Sequence, residues 1–450
     1  MELTDTNRKI IVFILIIGAF FASLSQSLLT SALPSIINDF VISASVGQWL
    51  TSAYILVLGV VSTIVPYLIN RFDARKVFIF SMGIFCFGSV LSYFSFDFLT
   101  LLLSRIIQAF GTGVVLSLLQ SMMVFLYPKN EHGKALSLIG LVVGFAPSIG
   151  PTLSGFIVDF SGWRSIFILL GVASFLVVIL AYFYLIDIGE HYSVGFDYLS
   201  IVLISFGFIS IMYSVTNLTT YGLDFLLVVL PFVVGVLLLF YFGHRQFEMD
   251  VPLLNLEVFK NKRFLIVNFI IYISFFSWMS GYILVPLFIQ SALGFSATIA
   301  GLVMLPANIA YAVFSPSSGR FYDRFGGKLS AYLGGVLLLF GSVLFIFFDN
   351  DVSLYFVCFA YILRLVGLLF LIMPMFAFAL SGLSREDYAH GVSIINCNRQ
   401  VIGALITTVL IAFVTVNSSV GGVSLYGVHV GFFVQCVCIL CIIPLVYIVK

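Results

Sequence analysis

The chain is 450 residues long, 62% hydrophobic and only 9% charged, with a formal net charge of +1 and a mean hydropathy of +1.20. A soluble domain carries roughly 45–50% apolar and about 25% charged residues, so a water-soluble fold of this length is excluded for want of a polar surface. The near-zero net charge implies no nucleic-acid partner.

In chain order, apolar runs long enough to cross a bilayer, about twenty residues each, are centred on Phe20, Leu58, Phe85, Leu116, Phe145, Val177, Gly207, Val234, Phe276, Ala307, Leu338, Leu365, Ala404 and Leu440. That predicts fourteen helical spans. The first, Ile10 to about Ser31, is longer than the apolar core of a signal peptide and reads as a retained helix. Apart from Arg105, Arg164, Arg364 and Arg399, every Lys and Arg falls at a terminus or in connections on one side. These are Arg8 and Lys9; Arg71, Arg75 and Lys76; Lys129 and Lys134; Arg245, Lys260, Lys262 and Arg263; Arg320, Arg324 and Lys328; Arg385; and Lys450. The opposite connections carry Asp39, Asp97, Asp159, Asp224, Asp349 and Asp351. Cationic loops stay in the cytoplasm, so both termini are expected there. The connection Asp187 to Asp197 is the one cytoplasmic loop without a cation.

The longest polar connection, His244 to Arg263, divides the chain. Asn70-Arg71-Phe72-Asp73-Ala74-Arg75-Lys76 after span 2 is repeated as Asp323-Arg324-Phe325-Gly326-Gly327-Lys328 after span 10. Arg105 and Arg364 then fall in the fourth helix of each unit. Internal repeats of this kind mark many transporters. The expected organisation is an N-terminal six-helix bundle (1–187), two inserted helices (188–243), a cytoplasmic linker (244–263) and a C-terminal six-helix bundle (264–450).

The string Gly319 to Lys328 places Asp323 beside Arg324 and Lys328, a set that can latch neighbouring helix ends. In its first copy the cations are Arg71 and Arg75. Span 5 concentrates Gly140, Gly144, Pro147, Gly150, Pro151 and Gly155: small residues for close helix approach, prolines that invite a kink. Buried Arg105 and Arg364 are costly enough to face the bundle interior or water. Arg399 reads as structural. The six cysteines lie in apolar spans and read as buried thiols. No metal site, cofactor, nucleophile with a base, or phosphate-binding loop is present, which argues against an enzyme or an ATP-driven pump.

Taken together these motifs resemble the major facilitator superfamily over almost the whole chain. Asp323 to Lys328 is similar to its loop signature, and Arg105-Ile106-Ile107-Gln108 with Gly111 and Gly113 to its span-4 motif. The span-5 glycines, followed by Trp163-Arg164-Ser165-Ile166-Phe167, resemble the antiporter motif of drug exporters. Pro286 to Gln290 with Gly294, and Asn398-Arg399-Gln400 with Gly403, resemble the fourteen-helix drug:proton antiporters. The resemblance implies an all-α membrane protein of the major facilitator fold, and a role in proton coupling for Arg105. That family commonly has an Asp in span 1 where this chain has Ser25.

None of the nineteen acidic residues falls near the centre of a span. A proton carrier needs a group whose pKa can cross ambient pH. Three readings stay open: Asp39 or Asp159 lines a water-filled cavity, His429 titrates, or coupling is weak or to another ion. Mid-span Gln26, Gln120, Asn268, Trp278, Tyr282, Asn308, Tyr311 and Asn396 form the candidate cavity, apolar with few polar anchors. The expected function is export of lipophilic drugs or toxic compounds by proton antiport with alternating access. The alternative is a dedicated exporter of an endogenous metabolite or siderophore; a membrane-embedded enzyme or receptor fits less well. The partners implied are lipophilic small molecules, protons and the lipid bilayer, and the oligomeric state is open.

Overall fold

The computed structural model describes residues 5–42, 44–127, 131–186, 197–249, 252–295, 297–384, 386–415 and 425–449. Lys129 and Arg385 lie outside the described residues, as do the side chains of Lys134, Pro151 and Asp159 and the surroundings of Gly144. The described residues are helical: α1 (Asp5–Phe40), α2 (Ala44–Arg71), α3 (Ala74–Tyr93), α4 (Phe98–Leu126), α5 (His132–Ser161), α6 (Ser165–Tyr184), α7 (Tyr198–Tyr221), α8 (Leu230–Glu248), α9 (Lys262–Leu287), α10 (Ala297–Ile346), α11 (Leu354–Leu380), α12 (Tyr388–Thr415), α13 (Leu425–Leu440) and α14 (Ile442–Ile448). Eleven helical stretches among these residues are long and apolar enough to cross a membrane.

Acidic and amide residues at the connections set where helices begin. Asp97 accepts from the Thr100 amide at 2.7 Å, Asp73 from Arg75 at 2.8 Å, and Asn261 from Arg263 at 3.0 Å. Asp224 likewise accepts from Leu226 and Leu227. Each satisfies amides that the first turn leaves without a partner.

Two boundaries differ from those the sequence predicts, and a third is a sharp turn. The tenth and eleventh predicted spans follow one another within α10 as two helices separated at Gly326, with φ 80° and ψ 173°. Fifty residues would extend about 75 Å as a straight helix, more than twice the hydrocarbon thickness, so the chain must turn at Gly326. The left-handed φ explains why a glycine stands there. The irregular link is shorter than His244 to Arg263: α8 runs on to Glu248, and a short 3-10 turn, Leu256–Lys260, leads into α9. The last predicted span is interrupted at Cys441, where Pro444 cannot donate to the carbonyl of Leu440.

Within α1–α6 the closest crossing is α3 with α4. A Cβ on Gly88 would meet the Gln108 backbone at 2.8 Å, and one on Gly111 would overlap the Ser81 carbonyl. The second half of α10 crosses α11 in the same manner: a Cβ on Gly334 would meet the Gly367 carbonyl at 2.7 Å, and one on Gly341 that of Ala360 at 2.8 Å. Small residues here let the backbones approach without a large apolar driving force. The two groups, α1–α6 and α9–α14, meet where α5 packs on α10 and α11, and where α2 and α4 pack on α12.

α7 and α8 form a separate hairpin, crossing where Gly235 faces the Gly207 carbonyl. Its outer face is exposed and apolar, including Leu237 and Phe240. At one end Arg245 donates to both oxygens of Asp197, at 3.2 and 3.1 Å. Arg245 thus supplies the cation that the Asp187–Asp197 connection lacks. Burial raises the Asp197 pKa, but the bonds from Arg245 and Ser200 outweigh it and hold the carboxyl below its ordinary value. The clasp continues: Gln246 donates to Ser200 Oγ at 2.6 Å and accepts from the Leu254 amide at 3.0 Å. Asn255 then donates through Nδ2 to Asp387 at 2.9 Å, and through its amide to His390 Nδ1 at 3.2 Å. The hairpin is thereby joined, through the link, to the start of α12.

Candidate functional site

Two fully buried arginines occupy matched places, Arg105 on α4 and Arg364 on α11. Arg105 donates through Nη1 to Ser25 Oγ of α1 at 2.9 Å and to Gln108 Oε1, and through Nη2 to the Ser25 carbonyl at 3.4 Å. Its guanidinium lies 4.0 Å from the centre of the Tyr54 ring of α2, a cation–π contact. Gln108 Nε2 donates onward to Ser89 Oγ of α3 at 2.7 Å, while Tyr54 Oη and Thr112 Oγ1 share a hydrogen bond of 2.7 Å. Arg105 Nε has no acceptor.

Arg364 is held within its own group, partly by corresponding helices. It donates to the Ser277 carbonyl of α9 at 2.9 Å, to Ser342 Oγ of α10 at 3.0 Å, and to Gln435 Oε1 of α13 at 3.1 Å. Gln435 Nε2 donates back to Ser342 Oγ at 3.0 Å. Phe432 and Phe345 lie at 5.1 and 5.8 Å from the guanidinium. Gly281 of α9 leaves room for it; a Cβ there would overlap Nη1. Each arginine is thus held by a serine residue of the first helix of its group, and each network reaches a serine hydroxyl of the third. Neither forms an ion pair with a carboxylate among the described residues.

Of the predicted cavity set, Gln120 and Asn396 come together across the two groups, Asn396 Nδ2 donating to Gln120 Oε1 at 2.6 Å and to Ser117 Oγ at 3.4 Å. Phe125 and Tyr388 continue that seam with ring centres 6.4 Å apart. Asn396 Oδ1 and the buried hydroxyls of Ser121 and Ser393, on the same two helices, have no partner. A second cluster lies on the α9 side of α12: Trp278 stands edge-on to Phe275 at 5.4 Å, and Arg399 lies 5.4 Å from the Phe275 ring and near the Tyr311 hydroxyl. Asn398 donates to Tyr272 Oη there at 2.7 Å. Asn268 donates to the Phe264 carbonyl of its own helix, and its Oδ1 is unpartnered. Gln26, Tyr282 and Asn308 are half-buried. Sequence reasoning missed Tyr54, Thr112, Ser342 and Gln435. A tyrosine and a glutamine in mid-span were the available signal.

Asp39 stands away from these centres, at the far end of α1. It accepts from Arg164 at 2.7 Å and from Trp163 Nε1 at 3.1 Å, beside an open vestibule of 520 Å³ that includes Ser35, Asn38 and Gly162. The Arg164 bond holds its carboxyl below the ordinary 3.8, which is unsuited to taking up a proton near neutrality. His429 Nε2 bonds to the Phe348 carbonyl at 2.9 Å.

At the latch strings, Arg75 donates to the Tyr182 carbonyl in the last turn of α6, the placement that suits a cation. Arg71, Asp323, Arg324 and Lys328 are exposed, and Arg324 lies 5.1 Å from the Phe325 ring. In α5, Gly150 abuts Ser27 of α1, where a Cβ would overlap Oγ, and Gly140 abuts Met373 of α11 and Ser315 of α10. Gly155 faces open space. The close-packed face expected of span 5 therefore covers Gly140 and Gly150 but not Gly155. The helix is unbroken through Pro147 and Pro151.

A family model described as the Major Facilitator Superfamily matches residues 15–408. YcnB, an MFS-type transporter of Bacillus subtilis (strain 168), is 33% identical over 443 residues, which cover 97% of this chain and 94% of that protein. The lincomycin resistance protein LmrB of the same organism is 31% identical over 403 residues, 88% of this chain and 84% of its own. In fold, the crystal structure of the human organic anion transporter MFSD10 is similar with a TM-score of 0.70 at 13% identity, over 98% of this chain and 99% of that one. With a family match across most of its length, many apolar helices and an all-helical fold, the chain is a multi-pass membrane transporter of the Major Facilitator Superfamily.

Proposed function

We propose that this transporter is a fourteen-span exporter of lipophilic compounds, working by alternating access in exchange for protons, with both termini in the cytoplasm of a bacterial cell. In this reading residues 1–187 and 264–450 are the two rocking bundles and 188–243 the inserted pair. The observation that carries it is the seam between the groups. There Gln120 and Asn396 bond side chain to side chain, with unpartnered polar groups on both helices, and an aromatic cluster lies on the α9 side of α12. A large apolar surface with few polar anchors suits bulky lipophilic ligands. A seam of side-chain contacts can part when one bundle moves against the other. The name of LmrB, a lincomycin resistance protein, supports export of a foreign compound.

The test is efflux of a lipophilic dye from inverted vesicles, with a pH gradient or a sodium gradient imposed separately. Dye movement driven by the pH gradient is the expected result. Movement driven by sodium alone would replace the proton in this reading, and no movement under either gradient would remove it.

A further inference from the structure

The two buried arginines are not equally satisfied. Arg364 has acceptors on Nε and on Nη2, and its Nη1 occupies the space that a Cβ on Gly281 would fill. Arg105 donates through Nη1 to Ser25 and Gln108, but it has an orphaned Nε, only a weak 3.4 Å bond from Nη2 and, like Arg364, no carboxylate partner among the described residues. A buried charge without a counter-charge is expensive, and neutral acceptors with one aromatic face offset only part of that cost. Around the same guanidinium stand the hydroxyl of Ser25, whose oxygen accepts from Arg105 and whose proton has no acceptor among the described residues; the hydroxyl of Tyr54, which shares a bond with Thr112 and reaches the Ala22 carbonyl only at 3.5 Å, while Thr112 itself donates to the Gln108 carbonyl; and the side-chain amide of Gln108, which gives one of its two protons to Ser89. Guanidinium, hydroxyl and amide donors gathered on one buried cation form the coordination that a small anion requires.

We propose that the Arg105 centre binds a small monovalent anion of the chloride type, held by Arg105 with the Ser25 hydroxyl and with the Tyr54 and Gln108 side chains within reach. The anion neutralises α4 in the state where α1 draws back from it. It is a bound counter-charge, distinct from the exported compound. Ser25 is the deciding position, since a carboxylate there would supply the negative charge from the chain itself.

The first test needs no transport. The full-length protein is purified and its thermal unfolding followed as sodium chloride replaces sodium gluconate at constant ionic strength. The wild type should melt at rising temperature with chloride and with bromide, Ser25→Ala should need a higher chloride concentration for the same shift, and Ser25→Asp should show none. Equal shifts in wild type, Ser25→Ala and Ser25→Asp would mean a general salt effect and overturn the proposal, as would no shift in the wild type. The second test rests on the exporter reading. In inverted vesicles under a pH gradient, replacing chloride by gluconate should slow wild-type dye efflux by about tenfold or more, the scale on which an uncompensated buried charge acts. For Ser25→Asp the ratio of the two rates should lie near one. Wild-type efflux that is equally fast in gluconate would overturn the anion site while leaving the exporter intact. Efflux absent in both salts would count against the exporter, with the melting series still deciding the site.

Discussion

Gln120 of α4 and Asn396 of α12 hold the two helix groups together by a 2.6 Å hydrogen bond between residues 276 positions apart. The bond is buried, and it lies on the seam continued by Phe125 and Tyr388. It exists only when this part of the seam is shut.

Removing it should bias the transporter toward the state in which the seam is open. A buried hydrogen bond contributes about 0.5–1.5 kcal/mol net, so Asn396→Ala should shift the open-to-shut ratio roughly two- to tenfold. The measurement is thiol labelling of Ser117→Cys in a background with the six native cysteines replaced. Faster labelling in the Asn396→Ala background is expected, and unchanged labelling would mean that the bond does not gate this seam.

Gly281 and Gly150 test two different kinds of closeness. Gly281→Ala drives a methyl group into the Arg364 guanidinium and should destabilise the folded protein by about 1–3 kcal/mol, the usual cost of overpacking. Thermal unfolding in detergent reads that loss.

Gly150→Leu pushes into Ser27 of α1 and should abolish most efflux, whereas Gly155→Leu, with open space around its Cβ, should be tolerated. The pair is read by dye efflux normalised to the amount of protein in the membrane. Equal activity in the two would place the moving face of α5 elsewhere.

The Asp39–Arg164 pair gives a pH-dependent stability of known sign. Its bonds depress the folded pKa of Asp39 below 3.8, so the contribution is full above that value and is lost as pH falls through the folded pKa. Both side chains are more than a third exposed, 38% and 44%, so the contribution should be only about 0.5 kcal/mol. Melting curves from pH 6 to pH 3 should show wild type above Asp39→Asn at the upper end, converging below pH 3.8. A gap that widens on acidification would reverse the assignment.

The sequence announced more of the fold than of the site. Helical spans are legible because a bilayer demands long apolar runs, and the recurrence of Arg105 and Arg364 in like positions is legible because charges in such runs stand out. Their partners are not, since a serine hydroxyl or a backbone carbonyl 80 or 87 positions away carries no local signal. Asp39 shows the same limit. Its place near a span end was plain, but its pairing with Arg164, 125 positions on, depends on how α1 packs beside the α5–α6 turn. The Gly326 turn was readable as a loop motif, yet helical geometry continues to either side of it because only one residue has to leave that geometry.

The polar clasp from Asp197 and Arg245 through Gln246, Leu254 and Asn255 to Asp387 and His390 makes the α7–α8 hairpin a passenger of α12. In the alternating-access reading proposed above, α12 moves away from α2 and the hairpin travels with it, drawing its apolar outer wall sideways through the lipid. The narrow crevice where Ile55, Leu56 and Gly59 of α2 face Phe208, Ile211 and Met212 of α7 must then widen or shear. In the exporter reading, a molecule dissolved in the bilayer would meet that crevice as a side door whose hinge is the clasp.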